Sequence, residues 1–333
     1  MKKASLILAL LVTAAPLASI AQSQNELPTN LSGITTTTAP PEGFDALRAS
    51  DADLAYYGFP PRPNDYSGDY KSWAEAITAS HERIVPVLEQ TNIYHRPAAQ
   101  SPSPAANEAA SFNWSGAVHT DSAKKYGKSS YDYVYSYVTV PTAQQATGKC
   151  TGGWDYASAW VGIDGWANND VLQDGIEFDA YCKGKTTAAF YSAWFEWFPF
   201  SEVRIGGFPI APGQKFFIEI WSTSSTLGHA YIVNENKGKA VQVNFTAPKG
   251  TKLIGSSAEW ITERPGVNGG LATLTNYGSQ TYSDVHAETF GGTAIDAADS
   301  FPVVMLDNNR KLISYPTLLS ATAFKVQDTG SAK

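Results

Sequence analysis

The chain has 333 residues and a net charge of −7, with 17 % charged and 12 % aromatic residues, nine of them Trp. That length supplies a sizeable core, and the Gly, Pro and aromatic content favours many short strands and turns over long helices. An acidic balance without a Lys/Arg cluster leaves no track for phosphates, which excludes nucleic acid as a partner.

Residues 1–21, MKKASLILALLVTAAPLASIA, have the layout of a Sec-type signal peptide of bacterial type. Lys2 and Lys3 form the positive end, Ala4 to Ala15 the apolar stretch, and Ser19-Ile20-Ala21 the small-x-small cleavage site. This implies a secreted or periplasmic protein, in which the sequons at Asn30, Asn113 and Asn244 go unused. No later apolar run reaches the roughly 18 residues a membrane span needs, so the mature form is expected to be free of the membrane.

Residues 22–109 read as a small, partly helical pro-segment and linker. Residues 22–41 are rich in Thr, Pro and Ser and are expected to be flexible. Ser50 caps a short helix, with Asp53 at the third position, Gly58 ending it and Pro60-Pro61 preventing its return. Residues 70–90 predict a longer helix on the recurrence of Trp73, Ile77, Ile84 and Leu88, bent or interrupted at Pro86. Residues 96–109, RPAAQSPSPAANEA, read as a linker.

Period-two patterning then takes over. Strands are expected at 134–140, 193–198, 216–221, 230–234, 241–245 and 258–262, with a closing hairpin over 303–314. So many strands predict an all-β fold for residues 110–325, an antiparallel two-sheet β-sandwich of the jelly-roll or concanavalin-like kind. Residues 326–333 are expected to form a loose tail. Cys150 and Cys182, the two cysteines, are expected to pair if the chain is exported, closing a loop around Trp160 to Gly175.

The chemistry is first narrowed by what is missing. There is no HExxH, the five His are scattered, and no GxSxG occurs. Asp328-Thr329-Gly330 spells an aspartic-peptidase triplet, but it occurs once, whereas that chemistry needs two carboxylates. No metal or other cofactor is implied. A carboxylate with a carboxamide would suffice for amide hydrolysis, one as the base for water and the other as a neutral oxyanion donor. Glu259 in AEWITE and Gln173 in VLQDG are such groups, although a lone Glu at that spacing is also what a solvent-facing strand residue looks like.

Five motifs occur in order: Asn113-Trp114-Ser115-Gly116-Ala117-Val118, Trp160-Val161-Gly162-Ile163-Asp164-Gly165, Leu172-Gln173-x-Gly175, Tyr191-x-Ala193-Trp194-x-Glu196-Trp197-x-Pro199 and Ala258-Glu259-Trp260-Ile261. Together they resemble the glutamic peptidases (eqolisins), acid endopeptidases built as a β-sandwich of two curved sheets. The resemblance implies Gln173 and Glu259 as the catalytic pair. It places Trp114, Trp160, Asp164, Trp194 and Glu196 where they line or brace a substrate cleft. Residues 43–97 look like the leader of bacterial members.

Two positions depart from the family's pattern. Glu177 stands where an Asp follows the Gln by four residues, and Ser192 where an Asp follows the Tyr of the aromatic motif. The leader, residues 22–109, carries five Lys/Arg against eleven Asp/Glu, with no obvious cationic arm to meet Glu259. The expected partners are protein or peptide substrates of a monomeric enzyme. The competing reading of an aromatic groove in a β-sandwich is a carbohydrate-binding module, or a glycosidase using Glu196 and Glu259.

Overall fold

The computed structural model describes residues 25–330, apart from 64–67, 79–80, 104, 122, 147–149, 151 and 167. The expected signal peptide lies outside the described residues. Two antiparallel layers form the sandwich. Across the front layer run Val87–Gln90, Val203–Gly206, Thr186–Phe198, Val171–Lys183, Ser158–Ile163, Ser257–Glu263 and Trp114–Thr120. Across the back run Ala323–Asp328, Ser279–Thr289, Tyr131–Thr139, Lys215–Ser224, Leu227–Asn234 and Lys239–Thr246. Phe301–Leu306 and Leu312–Ser320 join the layers at one edge.

Strand alternation decides which side chains fill the interior. In Val171–Lys183, Leu172, Ile176 and Phe178 enter the core between the layers. Gln173, Gly175 and Glu177 therefore turn to the opposite face. Trp194 and Trp197, three apart, take opposite faces as well. Trp197 lies in the interlayer core, while Trp194 joins the cluster of Trp114 and Trp160 on the other side.

The leader is ordered where composition suggested otherwise. Glu26–Pro28 and Ile34–Thr37 form a hairpin, and Thr35 pairs with Asn244, extending the back layer. The Ser50 cap forms as expected, accepting from the Asp53 N–H ahead of helix Asp51–Tyr56. The longer helix covers only Gly68–Thr78. Its Trp73, Ala76 and Ile77 are buried against Tyr133, Tyr135, Tyr137 and Phe217 of the back layer. Beyond it, Val87–Gln90 is a strand on Val203–Gly206. Pro86 lacks the N–H a helix needs, so Leu88 is buried through edge pairing instead of helical spacing. Residues 326–328, expected to be loose, complete the last strand, paired with Ser279–Gln280 on one side and Ser314–Pro316 on the other. Among the described residues no helix is long and apolar enough to cross a membrane.

Cys150 and Cys182 are bonded, with Cα atoms 5.3 Å apart and a sequence separation of 32. The loop they close contains Ser158–Ile163 and much of Val171–Lys183, the two central strands of the front layer. Replacing both cysteines by Ala is expected to cost about 4 kcal/mol through the unfolded chain's regained freedom. Calorimetry of the oxidised protein and the variant checks this, and equal melting temperatures would rule it out.

Candidate active site

The sheet register brings the two expected catalytic residues to one row. Gly162 pairs with Gln173 on one side and with Glu259 on the other. Directly opposite residues share a face, so both side chains project from the same side of the front layer, about 10 Å apart at Cα with a glycine between. A Cβ on Gly162 would lie 2.8 Å from the Trp160 ring and 3.4 Å from Cβ of Gln173. The glycine thus keeps the floor between the pair open. Glu196 extends the row beyond Gln173.

Both Gln173 and Glu259 are fully buried, and residues 93–100 supply a cover on this face. Ile93–Tyr94 pairs with Gly266–Val267, and the chain then crosses the front layer. The His95 N–H donates to the Glu196 carboxylate at 3.0 Å, and the His95 carbonyl accepts from Gln173 Nε2 at 2.7 Å. A carbonyl only accepts, so the atom facing it must be the amide nitrogen. Arg96 N–H donates to Glu263 at 3.2 Å, and its carbonyl accepts from Trp114 Nε1 at 3.0 Å. Farther on, Ala98 N–H donates to the Gly165 carbonyl. Every backbone polar group of His95 and Arg96 is therefore satisfied by the groove, as in a bound peptide.

The His95 ring enters a pocket below the strap. It stacks on Trp194 with centroids 3.7 Å apart and planes 8° from parallel. Nδ1 lies 3.1 Å from Glu263, which also accepts from Trp160 Nε1 at 2.9 Å. Nε2 lies 3.2 Å from both Glu202 and Glu177. Its single hydrogen lies between the two, better aligned with Glu202 than with Glu177. Burial alone would depress the imidazole pKa, but hydrogen bonding to these carboxylates outweighs it and raises the pKa well above the ordinary value. His95, Glu177 and Glu202 also have the composition of a metal site. Both ring nitrogens face carboxylates, however, which calls for the doubly protonated ring and leaves no lone pair for a cation.

The remaining expected residues fall into two groups. Trp114, Trp160, Trp194 and Glu196 line the groove or contact the strap. Asp164 does not. Its carboxylate accepts from the N–H groups of Ile254, Gly255 and Ser256 and from the Asn168 amide, bracing the turn that feeds Ser257–Glu263. The Glu259 carboxylate has no close hydrogen-bond partner among the described residues. Burial raises its pKa well above the carboxylate range, with Asp164 adding to the rise and the Ser257 hydroxyl opposing it. Gln173 does not bond to Glu259; its Oε1 is unpartnered and its Nε2 serves the strap.

Sequence reasoning missed His95. The search for a cationic arm counted Lys and Arg, and a histidine flanked by Tyr94 and Arg96 escaped it. Glu202 and Glu263 also went unnoticed, since neither belongs to the five motifs.

A β-sandwich whose front layer cradles an extended polypeptide over a buried Glu and Gln defines a peptidase of the glutamic type. Residues 112–328 match the pattern of the Peptidase A4 family, and the chain belongs to that family. It is 30 % identical over 209 residues to aspergillopepsin-2 of Aspergillus niger, covering 58 % of this chain and 70 % of that protein. It is 32 % identical over 152 residues to scytalidopepsin B of Scytalidium lignicola, covering 45 % and 51 %. The fold is similar to that of scytalido-glutamic peptidase with a transition-state analog inhibitor, with a TM-score of 0.54 at 24 % identity over 65 % of this chain and 98 % of that one. It is likewise similar to SCP-B in complex with the tripeptide Ala-Ile-His, with a TM-score of 0.50 at 23 % identity over the same shares. The protein is thus a peptidase, and the carbohydrate reading of its aromatic groove gives way.

Proposed function

We propose that the protein is a secreted acid endopeptidase in which Glu259 and Gln173 act as a pair. The observation that carries this reading is the 2.7 Å hydrogen bond from Gln173 Nε2 to a peptide carbonyl in the groove. Glu259, ionised, takes a proton from a water held between the two side chains. The oxygen adds to the carbonyl carbon, and the developing oxyanion stays on the Gln173 amide. Glu259 then returns its proton to the leaving nitrogen as the C–N bond breaks. Opening the cleft to water removes part of the desolvation that now raises the Glu259 pKa, so that the base can ionise in acid. Trp114 and Glu196 hold the substrate backbone, as they hold the strap. The structures similar to this one contain a transition-state analog inhibitor and a tripeptide, which favours protein or peptide substrates here too.

In this reading residues 1–21 direct export, and 22–109 form the pro-segment of a monomeric zymogen. The strap is held by ionised groups: His95 against Glu177, Glu202 and Glu263, and its N–H on Glu196. Glu177, Glu196 and Glu263 have pKa values raised by burial, which His95 only partly offsets. Acidification therefore protonates them early and takes away the charge that retains the imidazolium. Incubating purified precursor at pH 4 is expected to yield a new N-terminus between Arg96 and Ala110 within the time that a pH 7 sample stays intact. A fully active chain with residues 22–109 still attached would end the zymogen reading.

A further inference from the structure

The strap shows how this cleft treats a side chain, not merely a backbone. We propose that the pocket around His95 is the specificity site for the residue whose carbonyl is attacked, and that it selects a cationic side chain, so that the enzyme cleaves after His, Lys or Arg. The proposal rests on the assignment of Gln173 as oxyanion donor, since the residue whose carbonyl Gln173 holds is also the one whose side chain enters the pocket.

The pocket is built for positive charge. Three carboxylates from three parts of the fold converge on one ring: Glu177 from the Gln173 strand, Glu263 from the Glu259 strand, and Glu202 from the segment leading into Val203–Gly206. All three are fully buried. The nearest resident cation is Arg204, 3.5 Å from the second oxygen of Glu202, which leaves the others to be neutralised by what enters. Glu177 Oε1 lies 3.2 Å from the ring Nε2 in the site. A Leu or Phe side chain there would strand these groups without a counter-charge, which is costly in a buried site. An imidazolium, ammonium or guanidinium pairs with them, and the Trp194 face favours a planar or diffuse cation. Glu177 is one of the two departures from the family's pattern, and its longer side chain reaches Nε2 alongside Glu202.

Charge selection of this kind has its own pH signature. The groups facing the cation are Glu177, Glu202 and Glu263, with Asp179 behind Glu177, Glu196 on the backbone side and Arg204 at the far end. Burial raises the pKa of Glu177 and Glu263, so as pH falls these two take up protons early and the preference for a cation shrinks while His, Lys and Arg stay charged.

The test uses the full-length chain after incubation at pH 4, with hexapeptides Ile-Tyr-Xaa-Arg-Ala-Ala in which Xaa is His, Lys, Arg, Gln or Leu. Mass spectrometry reads cleavage after Xaa at pH 3 to 6. The expected kcat/KM for the cationic peptides exceeds that for Gln and Leu by about 10- to 100-fold, the worth of a charge-assisted pairing, and the ratio falls towards pH 3. Cleavage without that preference, or with Leu preferred, overturns the pocket and leaves the peptidase mechanism standing. If no peptide is cut, the catalytic assignment fails, and the pocket is judged by hydrogen exchange in the uncut chain at pH 6. There, His95→Leu is expected to speed exchange of the 93–100 amides by about tenfold or more, and His95→Lys by much less. Equal exchange in the two variants overturns the proposal.

Discussion

Glu259→Gln in the full-length, acid-treated protein is expected to abolish peptide hydrolysis, lowering kcat by about 10³-fold or more, since Glu196, the other carboxylate of the row, lies beyond Gln173 and is engaged by the His95 N–H. Gln173→Ala should lower kcat/KM by about 10² to 10³. The two losses should differ in kind. Gln173 already bonds a ground-state carbonyl in the strap, so part of its loss should appear in KM. Glu259 makes no close hydrogen bond in that state, so its loss should fall almost wholly on kcat. Stability separates catalysis from architecture. A buried carboxylate without a partner weakens the fold once ionised, so Glu259→Gln should leave the melting temperature at pH 7 unchanged or higher. Retained proteolysis in either variant, or a large drop in melting temperature with Glu259→Gln, would show the pair to be misassigned.

How much of this was legible in the sequence follows from what each signal depends on. Trp194 and Trp197 could be sent to opposite faces because strand alternation is local. The row of Gln173, Gly162 and Glu259 could not be derived from spacing, because it is set by long-range pairing of Gly162 with Glu259 across the sheet; only the resemblance pointed to it. The helix over 70–90 was half right. Ile84 and Leu88 kept helical spacing by coincidence: edge pairing with Val203–Gly206 decided the conformation at Leu88, while the Ile84 N–H donates to the Ala240 carbonyl of the back layer. The strap misled for a different reason. Its Pro/Ala composition reads as a linker because it has no core of its own. Its order comes from the groove, through backbone hydrogen bonds that composition does not register.

The second large effect concerns pH and stability. Several acids are buried away from the cleft. Asp174 and Glu219 belong to the central strands of the two layers, and burial raises both well above the carboxylate range, with the charge of Asp174 adding to the rise at Glu219. Asp132 and Asp170 are pushed up to about 7 by burial, in Asp170's case against the Trp197 Nε1 hydrogen bond of 2.7 Å. For a carboxyl the folded pKa then exceeds the unfolded one, so the folded state binds more protons between the two values. Such groups contribute stability that is fully present below about pH 4 and is lost as pH rises through about 7. Each tenfold change in proton affinity is worth about 1.4 kcal/mol, so Asp132 and Asp170 alone could remove several kcal/mol, against a typical domain stability of about 5–15 kcal/mol. Calorimetry of the intact chain carrying Glu259→Gln, which prevents self-cleavage, should therefore show a melting temperature more than about 10 °C higher at pH 4 than at pH 8. Asp132→Asn and Asp170→Asn should each flatten that slope. A melting temperature that is level, or that rises towards neutral pH, would mean these carboxyls ionise freely in the folded protein, and the interior would then offer no reason for an enzyme of this fold to prefer acid.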